Sequence, residues 1–151
     1  MSSLLSKELL ATIGRKEAPR RELVSRREIR KYAIATRQRQ KKYLSGEEAP
    51  PMFHFALFWD MVELDKLQPD GCSVDGLLPI FPLKREMAGG LKIEYFKPIR
   101  AGDELIATRT LTNIFEKKGS QGPLIFYIVV MEIMDASGDP VLTQTTTRIL
   151  R

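Results

Sequence analysis

Cysteine and histidine are almost missing from this sequence: one of each, Cys72 and His54, among 151 residues. A single cysteine excludes a disulfide within the chain. It suits a reducing compartment, so a cytoplasmic location is expected. One Cys and one His cannot supply the usual ligand set of a structural zinc site, and no metal or other cofactor is expected. Also missing is any apolar run near the roughly 18 residues that a membrane span needs. The opening "MSSLLSKELLATIGRKEAPRR" has no basic start leading into a long apolar core, and so does not read as a signal peptide. Helix-turn-helix patterning, RNP-type aromatic motifs and zinc-finger spacings are absent too, so nucleic acid is not the expected partner. There is no internal repeat and no low-complexity tract.

What is present is an uneven charge. Residues 15–42 hold twelve of the 24 Lys and Arg against three Asp and Glu, while residues 43–151 hold eleven against fifteen. One account is a solvated basic helix face. The other is an anionic partner, such as coenzyme A or an acidic acyl carrier.

The elements can be placed in order. Residues 3–13 have helical periodicity, and "KEAPR" ends that segment because the residue before Pro19 is pushed out of the helical region. "ELV" at 22–24 suits a short strand. Ser25 and Glu28 have capping-box spacing and start a helix whose apolar face is Ile29, Tyr32, Ala33 and Thr36. Its other face carries Arg27, Arg30, Lys31 and Arg37. After the loop 45–51, "MFHFALFWDMVELDKL" at 52–67 is apolar on most sides and predicts a helix buried nearly all round. The stretch 68–86 contains two Asp-Gly pairs and three prolines and reads as a long surface excursion.

From residue 90 the chain turns to β-branched and aromatic residues: "LKIEYFK", "ELIATRTLTNIF", "PLIFYIVVMEIMD" and "PVLTQTTTRIL". "EKKGSQG" and "ASGD" supply hairpin turns. "IFYIVVMEIM" is too continuously apolar for a half-exposed strand and belongs at the sheet's centre. One buried helix followed by a long antiparallel sheet implies a single α+β domain over residues 1–151, a sheet wrapped around a central helix, which is the hotdog arrangement.

The blocks "APPMFHFALFW", "KREMAGGLKIEYFKPIRAGDEL" and "EKKGSQGPLIF" resemble, in order and spacing, the N-terminal half of MaoC-like hydratases. Within that superfamily they are most similar to the group of mesaconyl-C4-CoA hydratase and 3-hydroxyacyl-thioester dehydratase. The resemblance covers roughly residues 5–150. It implies a hotdog fold, reversible addition of water to a 2-enoyl thioester, and a pair of hotdog units with the acyl site at their interface. In many members one unit supplies the catalytic Asp and His from a motif like D-x-N-P-x-H after the first helix. This chain departs there, because "ATRQRQKKYLSGEEAPP" contains no Asp, Asn or His. Hydration needs a base for water and an acid for the α-carbon, and Arg and Lys in their usual ionised state cannot stand in for that pair. The expectation is therefore a non-catalytic, substrate-binding subunit of an (R)-specific hydratase or dehydratase. The 151 residues leave no room for a second unit, so a separate hotdog subunit carrying D-x-N-P-x-H is expected as partner.

Individual residues keep alternatives open. His54, near the start of the buried helix, reads first as a core histidine bonded to a loop carbonyl; it is also a candidate for contact with the acyl group, and a weak candidate for a base. In catalytic hotdog units, the resemblance implies, backbone N–H groups at that helix start polarise the thioester carbonyl. Arg37, Arg39 and Lys41, with Lys42, are candidates for coenzyme A or carrier contact, as are Lys117 and Ser120 in the first hairpin turn. Gly89 and Gly90 either flank the interfacial acyl tunnel or form a bulge that lets the sheet curve. Trp59 and Phe58 read as core or pairing surface, and no catalytic role is expected for Cys72. Two other functions remain. One is a self-sufficient hotdog homodimer, a hydratase or thioesterase using His54 or the carboxylates Asp60 and Glu63 placed at i, i+3 on the buried helix. The other is a non-enzymatic acyl-CoA binder.

Overall fold

A computed structural model describes residues 3–151. In chain order the elements are α1 (Lys7–Leu10), β1 (Arg20–Leu23), α2 (Arg26–Ala35), α3 (Lys41–Leu44), α4 (Phe53–Leu57), a 3-10 turn at Leu64–Lys66, β2 (Glu86–Tyr95), β3 (Glu104–Gly119), β4 (Gly122–Asp135) and β5 (Pro140–Leu150). The strands form one antiparallel sheet in the order β1-β3-β4-β5-β2. β4, the most apolar strand, is central as its composition requires. A two-residue turn, Ser120-Gln121, joins it to β3 between the paired Gly119 and Gly122.

Strand alternation sorts the faces. Ile125, Tyr127, Val129, Met131 and Ile133 along β4 are all buried, and their neighbours are less so. That buried face is covered in two parts. At one end α2 and α4 lay Ile29, Ala33, Phe53 and Phe58 over Leu105, Ala107, Met131, Ile133 and Leu142. At the other end Leu9 of α1 and Leu77 of the long loop cover Leu111, Ile114, Ile125, Tyr127 and Leu150. Each fully buried side chain of this size contributes roughly 1.5–3 kcal/mol relative to exposure.

α2 begins where the capping box placed it. The Ser25 hydroxyl oxygen accepts from the Glu28 N–H at 3.1 Å, and its O–H donates to the Glu28 carboxylate at 2.9 Å. Ile29 and Ala33 are fully buried, and the Tyr32 ring meets Phe53 edge-on at 5.6 Å.

The helix expected over 52–67 is much shorter. α4 is five residues, Phe53–Leu57, and the chain leaves it at Phe58. Arg20 of β1 is the physical cause. Its guanidinium donates to the Phe58 carbonyl and, at 2.8 Å, to the Asp60 carboxylate, so carbonyl and side chain are drawn sideways to the sheet edge. Beyond this point Trp59, Met61 and Leu64 are exposed rather than buried. The N-terminal helix is likewise shorter than expected, and α3 is an extra turn that sequence periodicity did not announce. The hotdog fold stands, with its filling shared among α4, α1 and the 77–83 loop.

Candidate functional site

His54 is the point where two cavities meet. A cleft of about 320 Å³ is lined by Tyr43, residues 48–53, His54 and residues 95–99. A smaller cavity of about 180 Å³ has His54, Phe55, Phe58 and Trp59 on one side and Arg109, Met131 and Gln144 of the sheet on another. Gln144 pairs with Met131, and Met131 with Arg109, so these three form one row across β5, β4 and β3.

The imidazole is 1% exposed. Its Nε2 lies 2.6 Å from Oε1 of Gln144, whose amide nitrogen donates onward to Thr146 Oγ1 at 3.1 Å. With Oε1 accepting, Nε2 carries the proton and Nδ1 carries a lone pair. Nδ1 is buried and has no hydrogen-bond partner among the described residues. Burial lowers the pKa of His54, and the bond to Gln144 opposes that shift without cancelling it. The ring is therefore neutral at neutral pH. The expected loop carbonyl is replaced by a strand amide.

Among the described residues no carboxylate bonds to this ring. Glu48, which lines the larger cleft, is held by Lys42 at 2.7 Å and faces Arg100 at 3.9 Å. Asp60, on the smaller cavity, is bound by Arg20 and accepts from Ser73 Oγ at 3.1 Å. Glu63 pairs with Lys66 outside any α-helix. The shared helix face that made Asp60 and Glu63 a possible carboxylate pair does not exist. At the start of α4, Met52 takes the left-handed conformation (φ 70°), and its N–H donates to the Tyr95 hydroxyl oxygen at 3.0 Å. The Phe53 N–H donates to the Pro50 carbonyl at 3.2 Å. Both donors are thus already engaged within the chain.

The other candidate residues are dispersed. Gly89 and Gly90 lie in β2, at a bulge in its pairing with β5. A Cβ on Gly89 would stand 2.9 Å from Ile149 Cγ1, whereas one on Gly90 would meet nothing within 4 Å. Lys117 and Ser120 are at the far hairpin end. Lys117 pairs with Leu124, seven β4 positions from Met131, which is roughly 23 Å at ~3.3 Å per residue. Its ammonium sits over the stacked Phe115 and Phe126 rings. Arg37, Arg39 and Lys41 are exposed, between α2 and α3 or at the start of α3. None of these joins His54 in its two cavities. Cys72 is an exposed free thiol in the long loop.

Two features of the site went unread in the sequence. Gln144 is one; its signal was an amide at an inward position of β5, in phase with the buried Leu142. The other is Arg109, which donates to both oxygens of Glu17 (3.0 and 2.8 Å) and both of Asp75 (2.9 and 2.8 Å). Burial works against the Arg109 charge, but these hydrogen bonds outweigh it and raise its pKa. Asp75 answers in kind. Burial pushes its carboxyl up, and the bonds from Arg109 more than reverse this and hold it low. Three remote segments had to meet to build the cluster, so no local spacing betrays it.

The FAS1-like, dehydratase domain region family matches residues 11–144 of this chain. Mesaconyl-C(4)-CoA hydratase of Chloroflexus aurantiacus is 32% identical over 85 residues, which cover 56% of this chain and 30% of that protein, so the match spans about a third of the relative's length. Among solved structures, the ChsH1–ChsH2 complex of Mycobacterium tuberculosis is similar with a TM-score of 0.70 at 14% identity, over 95% of this chain and 86% of that one. A MaoC-like dehydratase from Rhodospirillum rubrum is similar with a TM-score of 0.60 at 18% identity, over 91% of both chains. At such identities the structural likenesses speak for the fold.

Proposed function

Since the chain belongs to the FAS1-like dehydratase-region family and has the MaoC-like hotdog fold, we propose that it is the substrate-binding, non-catalytic subunit of a heteromeric (R)-specific 2-enoyl-thioester hydratase or 3-hydroxyacyl-thioester dehydratase. The carrying observation is the partner of His54. Adding water to an enoyl thioester needs one group to take a proton from water and another to give one to the α-carbon. A histidine serving as base has to hold the resulting charge. Here the hydrogen-bond partner is the neutral amide Gln144, and the carboxylate that lines the same cavity, Asp60, is taken by Arg20. An imidazolium formed there would be buried and without a carboxylate partner. His54 is thus unsuited to accept a proton.

In this reading the catalytic Asp and His come from a second hotdog subunit bearing D-x-N-P-x-H. Coenzyme A or a carrier enters as part of the substrate, and the addition of water needs no further cofactor. The mesaconyl-CoA hydratase relative, longer than the region matched, and the two-component ChsH1–ChsH2 assembly favour this class of activity and this kind of pairing.

The test is the loss of 2-enoyl-CoA absorbance. The chain alone is expected to bind enoyl-CoA by calorimetry without turning it over. Turnover is expected on adding the hotdog subunit that carries D-x-N-P-x-H. Turnover by the chain alone, abolished in His54→Ala, would overturn the proposal in favour of a self-sufficient enzyme. Binding with no turnover in any combination would overturn it in favour of a non-enzymatic acyl-CoA binder.

A further inference from the structure

We propose that the outward face of the sheet is the docking surface for a second copy of this chain, the two sheets packing face to face with their β4 strands antiparallel about a two-fold axis at Ile128. The inference goes beyond the function proposed above and does not depend on which subunit supplies catalysis.

A strand with one face in water normally alternates apolar with polar residues. β4 does not. Its inward positions include the buried Ile125, Tyr127, Val129 and Met131. Its outward positions Leu124, Phe126, Ile128 and Val130 are apolar as well, and only half-buried. Phe115 of β3, stacked on Phe126 at 5.0 Å, and Ile149 of β5, paired with Phe126, widen this apolar strip. α1, α2, α4 and the 77–83 loop all pack on the other face. The central strand thus has the composition of a sheet covered on both sides, and the chain itself covers one. A contiguous apolar strip of this kind marks an interface.

The charges at the two ends of the strip identify the occupant. Just beyond β2 and β5, Arg85 and Arg151 stand directly opposite one another, each donating its N–H to the other's carbonyl, at 3.1 and 2.9 Å. They line one cleft with Met87 and Leu124, which places all four on the outward face. Lys117 pairs with Leu124 in the same row, its ammonium over Phe115 and Phe126. Like charges directly opposed across a ladder destabilise it, so this end calls for anions. Eight residues along β4, the row Thr108, Glu132, Thr143, Glu94 crosses the same four strands and carries two carboxylates. Lys92, two residues before Glu94 on the same face, offsets part of that charge and leaves Glu132 at the centre as the stronger anion.

A two-fold axis lying in the interface and perpendicular to β4 at Ile128 turns one end of the sheet onto the other. Arg85 then faces Glu94 of the second copy, and Lys117 and Arg151 flank its Glu132. The relation is reciprocal, as an isologous interface requires. An axis parallel to β4 would instead set the three cations against three cations, which is repulsive. The face between the two rows measures roughly 26 by 19 Å, at ~3.3 Å per residue and ~4.8 Å per strand. A pair of such faces buries about 1,000 Å², which reaches the size a specific interface needs. β2 keeps its free edge in this arrangement, so a catalytic subunit is not displaced.

Sedimentation velocity of the full chain alone, over a range of concentrations, is the test. A reversible dimer is expected. Arg85→Glu and Glu94→Arg are each expected to weaken it by about tenfold or more, because like charges then face each other across the interface. Both side chains are exposed, so neither variant is expected to lower the melting temperature. An equimolar mixture of the two variants is expected to recover the wild-type affinity, since each copy supplies the charge the other lacks. The axis is read by cross-linking in a Cys72→Ser background. Ile128→Cys is expected to give a covalent dimer with a short bismaleimide, and Lys117→Cys is not, because the two-fold carries it to the far end of the sheet. The proposal is overturned if the chain stays monomeric at every concentration, or if it forms a dimer indifferent to both charge variants. It is equally overturned if the mixture associates no better than either variant, or if Lys117→Cys cross-links and Ile128→Cys does not.

Discussion

Nε2 of His54 stands 2.6 Å from Oε1 of Gln144, and among the described residues Nδ1 has no hydrogen-bond partner. This one contact makes the chain's single histidine a buried neutral group, and that has a pH signature. Burial holds the folded-state pKa below its ordinary value near 6.5. Between these two pKa values the unfolded chain binds a proton that the folded chain refuses. Stability is therefore full above the ordinary pKa and falls as pH drops through about 6.5, with a slope of up to about 1.4 kcal/mol per pH unit, until the folded pKa is reached. Urea unfolding followed from pH 7.5 down to 5 is expected to show this loss. His54→Gln, which keeps an N–H for Gln144, is expected to flatten the profile. An equally steep profile in that variant would mean that another group is responsible.

Arg109 is the hub of a half-buried cluster, and its removal leaves Glu17 and Asp75 facing each other without a counter-charge. Arg109→Met is expected to cost about 2–4 kcal/mol, toward the lower end of what breaking a buried pair costs because the site is partly wet. Adding Glu17→Gln and Asp75→Asn is expected to recover much of that loss. The sign of the acid effect follows from Asp75. Its carboxyl is held below the usual range, so it contributes stability above that range that is lost as pH falls through it. In Arg109→Met this acid-labile contribution is expected to disappear. Denaturation curves of the single and triple variants, at neutral pH and near pH 3, check both statements. A triple variant no more stable than the single one would refute the charge argument.

The glycine pair separates a need of this chain from a need of something outside it. A methyl group at position 89 would press on Ile149 and on Thr147, whereas one at 90 would point into open space. Gly89→Ala is expected to destabilise the isolated chain by about 1–3 kcal/mol through crowding. Gly90→Ala is expected to leave it unchanged or slightly more stable, since strand glycine costs about 0.5–1 kcal/mol relative to alanine. If a partner or acyl chain approaches Gly90, the second variant will lower heteromer formation or activity while its melting temperature holds. Loss of stability in Gly90→Ala would contradict the geometry.

The sheet was legible in the sequence because its signals are local. Alternation, β-branching and two glycine-marked turns define β3, β4 and β5 within short windows, and the capping pair Ser25 and Glu28 did the same for α2. The helix over 52–67 was misjudged because its end is set by Arg20, some 40 residues away, which takes the Phe58 carbonyl and the Asp60 carboxylate together. Periodicity cannot register a competitor from another strand. The candidate site was half legible for the same reason. His54 stood out by rarity. Gln144 and Arg109, which define its chemistry, become its neighbours only through the register of β3, β4 and β5.

The early end of α4 leaves apolar side chains in water, on the surface that the proposed partner subunit would cover. Met61 is 93% exposed and Leu64 87%, and Trp59 and Ile80 also face outward. β2 adds a second open surface. It is ten residues long, pairs only with β5, and is exposed along most of both faces. Unprotected edges and contiguous apolar surface are normally covered. Because Met61 and Leu64 bury little in the isolated chain, Met61→Asp with Leu64→Asp is expected to change its stability by no more than about 0.5 kcal/mol per site. If the catalytic hotdog subunit covers this region, the double variant will fail to co-purify with it and will elute as a lone chain on size exclusion. Co-purification at the wild-type ratio would place the subunit contact elsewhere, and the Gly90 variant would then show whether the β2 edge carries it.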